Sequence, residues 1–490
     1  MKNIAILLGL LLLLCDNLGA QSASEPEFCG TKPGKSEWLK KYQLNKLKAD
    51  SRNAEKLYIP LTVSILTNND GSKGYSLNNV FAELCQLNRD FDAAGIYFYL
   101  SAPVRYIANT EWNNHKDYGT AFEMFGKNVD NTVNVYYCSD AAGNCGYDVM
   151  GVGMVLNKGC MGTVSHTWAH EMGHELSLPH TFVGWEGAKY DATAVPDTVN
   201  GYQVELVGRT NCTTAGDGFC DTPADYLNYR WDCQPDGKST TLLKDPSGQS
   251  FRVDGTLFMS YSKFDCMNRF SDEQIAAMRA SSLSEKGKFV SKDYTVNTIK
   301  DSVRVLSPLN NSLLKPDNAV FKWRKNESCD YYFYEVARDK SFNYLVQSGT
   351  TTDTAVLLNP LLTSKDYFWR ISGFNLSSVC QPSTTARFFK FTTDNAFSNV
   401  VDLNFIGDIK VFPNPLSGDG LLRVALQAQR SGKITLSLHQ MSGSVVYRKE
   451  FQISDGENEL LLQQENLPAG VYLLRIDAAT GSLQRKIAVF

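Results

Sequence analysis

Three of the six histidines in this 490-residue chain fall in the stretch AHEMGHELSLPHTF at residues 169–182, as His170, His174 and His180. At 3.6 residues per turn, positions four apart share a helix face, so the imidazoles of His170 and His174 can point the same way. His180 cannot lie on that helix, because Pro179 ends it at or before the preceding residue and the chain must turn sharply near Leu176-Ser177. HExxH on a helix offers a metal two neutral ring nitrogens, with a carboxylate one residue after the first ligand. A third histidine completes a zinc set with one coordination position open, the arrangement of a catalytic rather than a structural ion. Glu171 is then the expected general base, taking a proton from water and later passing it to a leaving amine, while Zn²⁺ polarises a carbonyl.

The elements that must position these groups follow from the pattern around them. With 43% apolar and 20% charged residues the chain is globular in type and long enough for about three domains. A net charge of -4 without a Lys/Arg-rich run excludes nucleic acid as a partner. Lys2, the apolar run Ile4 to Leu14 and the small residues Leu18-Gly19-Ala20 read as a signal peptide over residues 1–20. Lipid attachment at Cys15 is disfavoured by Leu14, where such signals need a small residue. No later segment reaches the ~18 apolar residues of a transmembrane helix, so none is expected.

Residues 21–55 are polar and Lys-rich without a strand pattern, and are expected to be a pro-segment. From residue 56 to 290 the texture is α/β (α+β), opening in βαββ order. IPLTVSIL alternates as a strand, Val80, Phe81, Leu84, Leu87 and Phe91 share a helical face, and GIYFYL and TVNVYYC are strand-like. MGVGMVLNKG is expected to be an edge strand just before the histidine helix. Together these predict a twisted mixed sheet with an active-site helix, followed by two all-β sandwich domains. Residues 301–395 carry short aromatic strands at sandwich spacing, with Trp323 and Trp369 as core candidates; they resemble a fibronectin type III or immunoglobulin-like module in which Cys329 and Cys380 are an expected pair. Residues 406–490 are again all strand. The head Val411-Phe412-Pro413-Asn414-Pro415 and the phrases LPAGVYLLRI and RKIAVF resemble the sorting domain of the type IX secretion system, which implies that machinery as a partner and a secreted or cell-surface location. The competing reading is an ordinary sandwich that binds a surface or a sugar.

His170, Glu171, His174, His180 and Met259 resemble the HExxHxxGxxH and Met-turn signature of the metzincin metalloproteases. Ser177 replaces the family glycine, and serine reaches left-handed backbone angles at a cost of roughly 1 kcal/mol or more. LPHTF, GDGFCDTPAD at 216–225 and FMSYSKFDCMNRFSDEQIAAMR at 258–279 narrow the resemblance to the pappalysin family of ulilysin-like proteases, although Ser260 stands where that family has Asp. The resemblance implies a secreted zinc endopeptidase acting on proteins or peptides. It implies Met259 as a floor under the imidazoles, Tyr261 as a donor to the oxyanion, and Asp217, Asp221 and Thr222 as contributors to a Ca²⁺ site; an Asx-rich turn is the other reading of those three. Asp265 falls where arginine-preferring relatives keep an acid in the pocket after the scissile bond, which implies a basic preference.

Eleven cysteines remain beyond the leader, so one must stay unpaired. EFCGTKPGK at 27–35 resembles the family's pro-segment, which implies Cys29 as a fourth zinc ligand that silences the zymogen. Ten cysteines then form five disulfides, with Cys233 to Cys266 and Cys212 to Cys220 as the expected pairs near the site. A structural disulfide at Cys29 is the alternative. A non-catalytic adhesin that kept the protease fold is the competing function, and Glu171 separates the two, since a binding protein has no use for a carboxylate there.

Overall fold

The computed structural model describes residues 26–45, 55–342, 344–380, 387–394, 406–416, 421–428, 431–441, 444–463, 467–478 and 481–489. The leader at 1–20 lies outside them. Two units form: residues 1–75 with 86–292, and residues 76–85 with 293–490.

The first unit is built on a mixed sheet. Its strands in chain order are β1 (Glu27–Cys29), β2 (Leu57–Thr67), β3 (Ile96–Leu100), β4 (Arg105–Ala108), β5 (Asn114–His115), β6 (Val133–Cys138), β7 (Asp140–Ala141), β8 (Asn144–Val149) and β9 (Gly153–Asn157). The spatial order is β3-β2-β6-β9-β8-β7-β5, with β4 also on β2 and β1 on β8. Strands β3, β4 and β6 are parallel to β2, and β9 is parallel to β6. Nearly every residue of β2 is buried, as the apolar run LYIPLTVSILT requires of a strand covered on both faces. Strand β8 runs antiparallel to β9, and its other side takes β7 and β1.

Two expectations need correction. The stretch at 21–55 is not strandless: β1 pairs in parallel with β8, Glu27 opposite Asn144 and Cys29 opposite Gly146, and a helix α1 (Glu37–Asn45) follows. Strand register comes here from carbonyls at and beside β8, Gly143 O and Gly146 O, which accept from Glu27 N–H and Gly30 N–H, and no side-chain alternation in residues 21–55 could report that. MGVGMVLNKG is not at the edge either. Strand β9 lies between β6 and β8 with all five residues buried.

Helix α2 (Leu77–Asp90) buries Val80, Phe81, Leu84 and Leu87. Two short helices follow, α3 (Thr110–Asn113) and α4 (Tyr118–Phe125), and then α5 (Thr167–Glu175), which carries the histidines. All nine residues of α5 are buried, histidines and glutamates included. Its C-terminal end answers the question posed by Ser177. Leu178 N–H donates to Gly173 O (2.9 Å) and Ser177 N–H to His174 O (2.8 Å), the paired bonds of a Schellman turn, with Ser177 at φ 76°. The Ser177 hydroxyl lies 2.8 Å from that of Ser281 in helix α6 (Asp272–Ser284), a contact glycine cannot make. Helix α6 starts on a capping box between Ser271 and Gln274.

The second unit holds two sandwich-type regions. In the first, Val305–Ser307, Val320–Trp323 and Ala355–Leu357 form one sheet, and Ser312–Leu314, Phe389–Thr393, Lys365–Phe374, Tyr331–Ala337 and Leu345–Thr351 form the other in that order. Trp323 and Trp369 are buried, and the Phe321 ring lies tilted against Trp369, their centroids 4.2 Å apart. Cys329 and Cys380 do not pair. Cys380 is bonded to Cys85 of α2, in the part of that helix belonging to this unit, while Cys329 is a buried free thiol. A partner 295 residues away in sequence is a matter of tertiary packing, not of spacing. In the second region a three-stranded and a four-stranded sheet enclose a core that includes Val424, Leu436, Leu474, Ile476 and Ile487.

Ser177→Val should lower stability by about 1–3 kcal/mol, because a β-branched residue is strained at this backbone angle, and it should weaken metal retention; Ser177→Gly should keep both. Denaturant unfolding with metal analysis after dialysis checks this, and an unperturbed valine variant would refute the strain. Gly173 is the second sensitive point of the helix, since an added Cβ would run into the Met259 sulfur. Gly173→Ala, which ordinarily gains ~1 kcal/mol inside a helix, should here cost about 1–3 kcal/mol, and Met259→Ala should partly relieve it in a double-mutant cycle.

Candidate metal centre

Helix α5 and the turn after it bring the three imidazoles together. His174 Nε2 lies 3.2 Å from both His170 Nε2 and His180 Nε2. Each ring's other nitrogen is engaged outward: His170 Nδ1 with Phe258 O at 2.7 Å, His174 Nδ1 with Leu178 O at 2.8 Å, and His180 Nδ1 with Glu186 Oε1 at 3.2 Å. Carbonyl and carboxylate oxygens only accept, so these Nδ1 atoms carry the protons and the three Nε2 atoms face one another with bare lone pairs. Extra protons are no remedy, since burial, followed by the neighbouring imidazoles, pushes His170 and His174 well below the usual histidine range. Converging acceptors with no donor between them call for a cation.

Cys29 closes the set. Its Sγ is 3.6 Å from His174 Nε2 and 3.6 Å from Glu171 Oε2, and the four ligand atoms lie within 4.8 Å of one another, all on buried residues. Burial and then Glu171 push the Cys29 thiol well up in the protein alone. Glu171 is fully buried, with one oxygen accepting from the Thr31 hydroxyl at 2.8 Å and the other without a partner; burial raises its pKa to about 8. Strand β1 holds Cys29 in place, and Gly146 opposite it leaves room for the Glu171 side chain, 3.0 Å from where a Cβ would stand. Gly30 is needed for the same close approach, against Asn144 and Tyr118.

The segment after Leu257 forms the other wall. Phe258 supplies the carbonyl for His170, and buried Met259 packs against Gly173. Asp225 ties this segment to the one after His180: its Oδ2 accepts from Thr181 (2.6 Å) and from Ser260 (2.8 Å). Ser260 thus works as a donor where an acid would have met Asp225 with like charge. The Tyr261 ring stands 5.0 Å from His180 and 5.8 Å from His170, and its hydroxyl donates to Cys29 O at 3.2 Å. Burial and the charges of Cys29 and Glu171 hold that phenol well above the usual tyrosine range, so it stays a donor. Disulfides Cys233–Cys266 and Cys212–Cys220 brace this side, and Cys145–Cys160 ties β8 to the segment after β9. With Cys85–Cys380 that makes four disulfides among the described residues instead of the five expected, because Cys138 and Cys329 are buried and free along with Cys29.

Other expected site residues lie elsewhere. Asp217 accepts from Phe219 N–H (3.0 Å) and from the Thr222 hydroxyl (2.9 and 3.0 Å), whereas Asp221 accepts from the Ser271 hydroxyl and Glu273 N–H, both at 2.7 Å, at the start of α6. The two carboxylates serve different partners, and among the described residues the group that could hold a metal ion is the Cys29, His170, His174 and His180 set. Asp265 is exposed. Several contributors escaped sequence reading: Thr31 on Glu171, Glu186 on His180, Asp225 between two loops, and Arg230 beside Phe28. For Glu186 alone a local signal existed, an acid six residues after a ligand histidine that needs an acceptor.

Over 249 residues, 46% of this chain and 77% of the relative, the sequence is 25% identical to an extracellular metalloprotease of Verticillium alfalfae. No described helix is long and apolar enough to cross a membrane. Residues 410–490 match the secretion system C-terminal sorting domain family. That domain marks the protein for type IX secretion and attachment at the cell surface.

Proposed function

We propose that the chain is a zinc-dependent endopeptidase of the metzincin clan, similar to the pappalysins, exported as a latent zymogen in which Cys29 is the fourth ligand. The observation that carries this reading is the meeting of three unprotonated Nε2 atoms beside a buried carboxylate. Neutral imidazoles and a thiol, with no water-exposed oxygen donors, suit zinc better than a hard cation. The similarity to an extracellular metalloprotease supports the same chemistry. When bound, zinc supplies Lewis acidity for the scissile carbonyl and lowers the pKa of water at the site towards ~7.

The residues of the chain do the rest. Glu171, whose Oε1 is open in the latent form, takes the proton of the attacking water and delivers it to the departing amine. Tyr261, freed from the Cys29 carbonyl, donates its hydroxyl proton in a hydrogen bond to the oxyanion as it forms. The outer side of β8 pairs with β1 while the pro-segment is present, and the same backbone groups would align an extended substrate once it leaves. Latency therefore has three parts: the thiol among the histidines, the Thr31 hydroxyl on Glu171, and β1 on the sheet margin. The 301–395 region is read as a fibronectin type III-like module.

Dialysis of processed enzyme against a strong chelator should abolish peptide hydrolysis, and zinc should restore it. Glu171→Ala should keep its metal while losing about 10²–10⁴-fold in kcat; a variant as active as the parent would refute the assignment of the base. Cys29→Ala in the unprocessed chain should raise hydrolysis before any cleavage of residues 21–55. Mass mapping should find Cys29 as a free thiol in the parent, and a disulfide there would end the latency mechanism.

A further inference from the structure

The three imidazoles are backed unequally. His170 and His174 give their Nδ1 protons to backbone carbonyls, those of Phe258 and Leu178, whereas His180 gives its proton to a carboxylate oxygen, Glu186 Oε1, at 3.2 Å. That carboxylate is fixed by the turn that carries it. Its other oxygen accepts from Gly184 N–H at 2.8 Å, and the Asn200 amide donates to the carbonyls of Gly184 (2.8 Å) and Glu186 (3.1 Å). Gly184 itself takes φ 94°, and a Cβ there would lie 2.9 Å from Val199 O, so the turn admits no side chain at that point. The Phe182 ring, stacked 4.6 Å from that of His180, supports the imidazole from one face. Among the described residues no lysine or arginine pairs with Glu186, whose side chain is only 12% exposed, and His180 is its ionisable partner.

We propose that Glu186 is a positioning residue whose charge, acting through His180, retains the metal once the pro-segment has left, in place of the anion that Cys29 supplies in the latent chain. The inference rests on the zinc endopeptidase reading above. Its physical basis is charge compensation. In the latent chain a dication among three neutral rings has a fourth ligand, and a cysteine binds metal as the thiolate. Departure of residues 21–55 takes that anion away. Of the two carboxylates that touch the ligand set, Glu171 is committed to moving a proton, and Glu186 is not. A carboxylate that accepts from the far nitrogen of a ligand imidazole both fixes the ring and makes its near nitrogen a stronger donor, whereas a neutral carbonyl does mainly the first. A role confined to capping the turn accounts for the oxygen on Gly184 N–H but leaves the one on His180 unexplained.

The test follows the metal rather than hydrolysis. Zinc is loaded into the full chain, unprocessed and processed, and its release to a chromogenic chelator is timed. Glu186→Gln keeps the size and one acceptor but not the charge. It should release zinc about 10–100-fold faster than the parent when processed, and within about threefold of the parent when unprocessed. Equal acceleration in the two forms would mark a turn cap and overturn the proposal, as would unchanged release from the processed variant. A second arm uses the unprocessed chain alone: with Cys29→Ala in place, Glu186→Gln should again speed release by about tenfold or more. An effect no larger than in the chain that keeps Cys29 would also overturn it. Glu186→Asp restores the charge, so zinc should leave it more slowly than Glu186→Gln, and the reverse order would refute the role of charge. A processed chain that holds zinc through Glu186 but cleaves no peptide would sink the endopeptidase reading and leave this role standing. One that cleaves peptides yet loses zinc equally fast with and without Glu186 would do the opposite.

Discussion

Three buried nitrogen lone pairs, that of His174 held 3.2 Å from each of the other two, are the constraint on which the first unit is organised. Left to themselves they repel, and protonating His170 or His174 would place a charge where burial opposes it. The surroundings nevertheless force them together. Backbone carbonyls of Phe258 and Leu178 and the Glu186 carboxylate fix the ring orientations, the Schellman turn swings His180 back, and Met259 fills the space against Gly173. A structure that spends so much of its packing on an unfavourable arrangement is built around a group of opposite charge.

The same centre explains how the N-terminal segment lies. A parallel strand of three residues contributes little by itself. Its hold comes from what it carries inward: Phe28 into a pocket, Cys29 among the imidazoles, Thr31 onto Glu171. The segment is held by contacts with the same residues that form the centre.

The elements whose pattern is local were legible in advance. Strand β2, helix α2, the aromatic strands of 301–395 and the alternating strands after 406 all appear where periodicity put them, since burial of one face or two imposes a repeat that a single chain segment displays. What depends on a second segment was not. The β1 strand is defined by its partner, β9 is interior because β8 continues the sheet beyond it, and Cys380 bonds Cys85 rather than Cys329 because α2 reaches it.

The sequence alone determined the kinds of atoms at the centre: ring nitrogens at offsets of four and ten residues and a carboxylate beside the first; the parity of the cysteines said only that a thiol stays unpaired, not which. Helical repeat and proline sterics are properties of neighbouring residues, so they can be read in order along the chain. Tertiary structure decided which protons those atoms carry, that a serine could take a glycine's backbone angle by bonding Ser281, and that Arg230 rather than Asp265 stands against the buried ring. These are through-space effects of segments far apart in sequence, and only folding sets their distances.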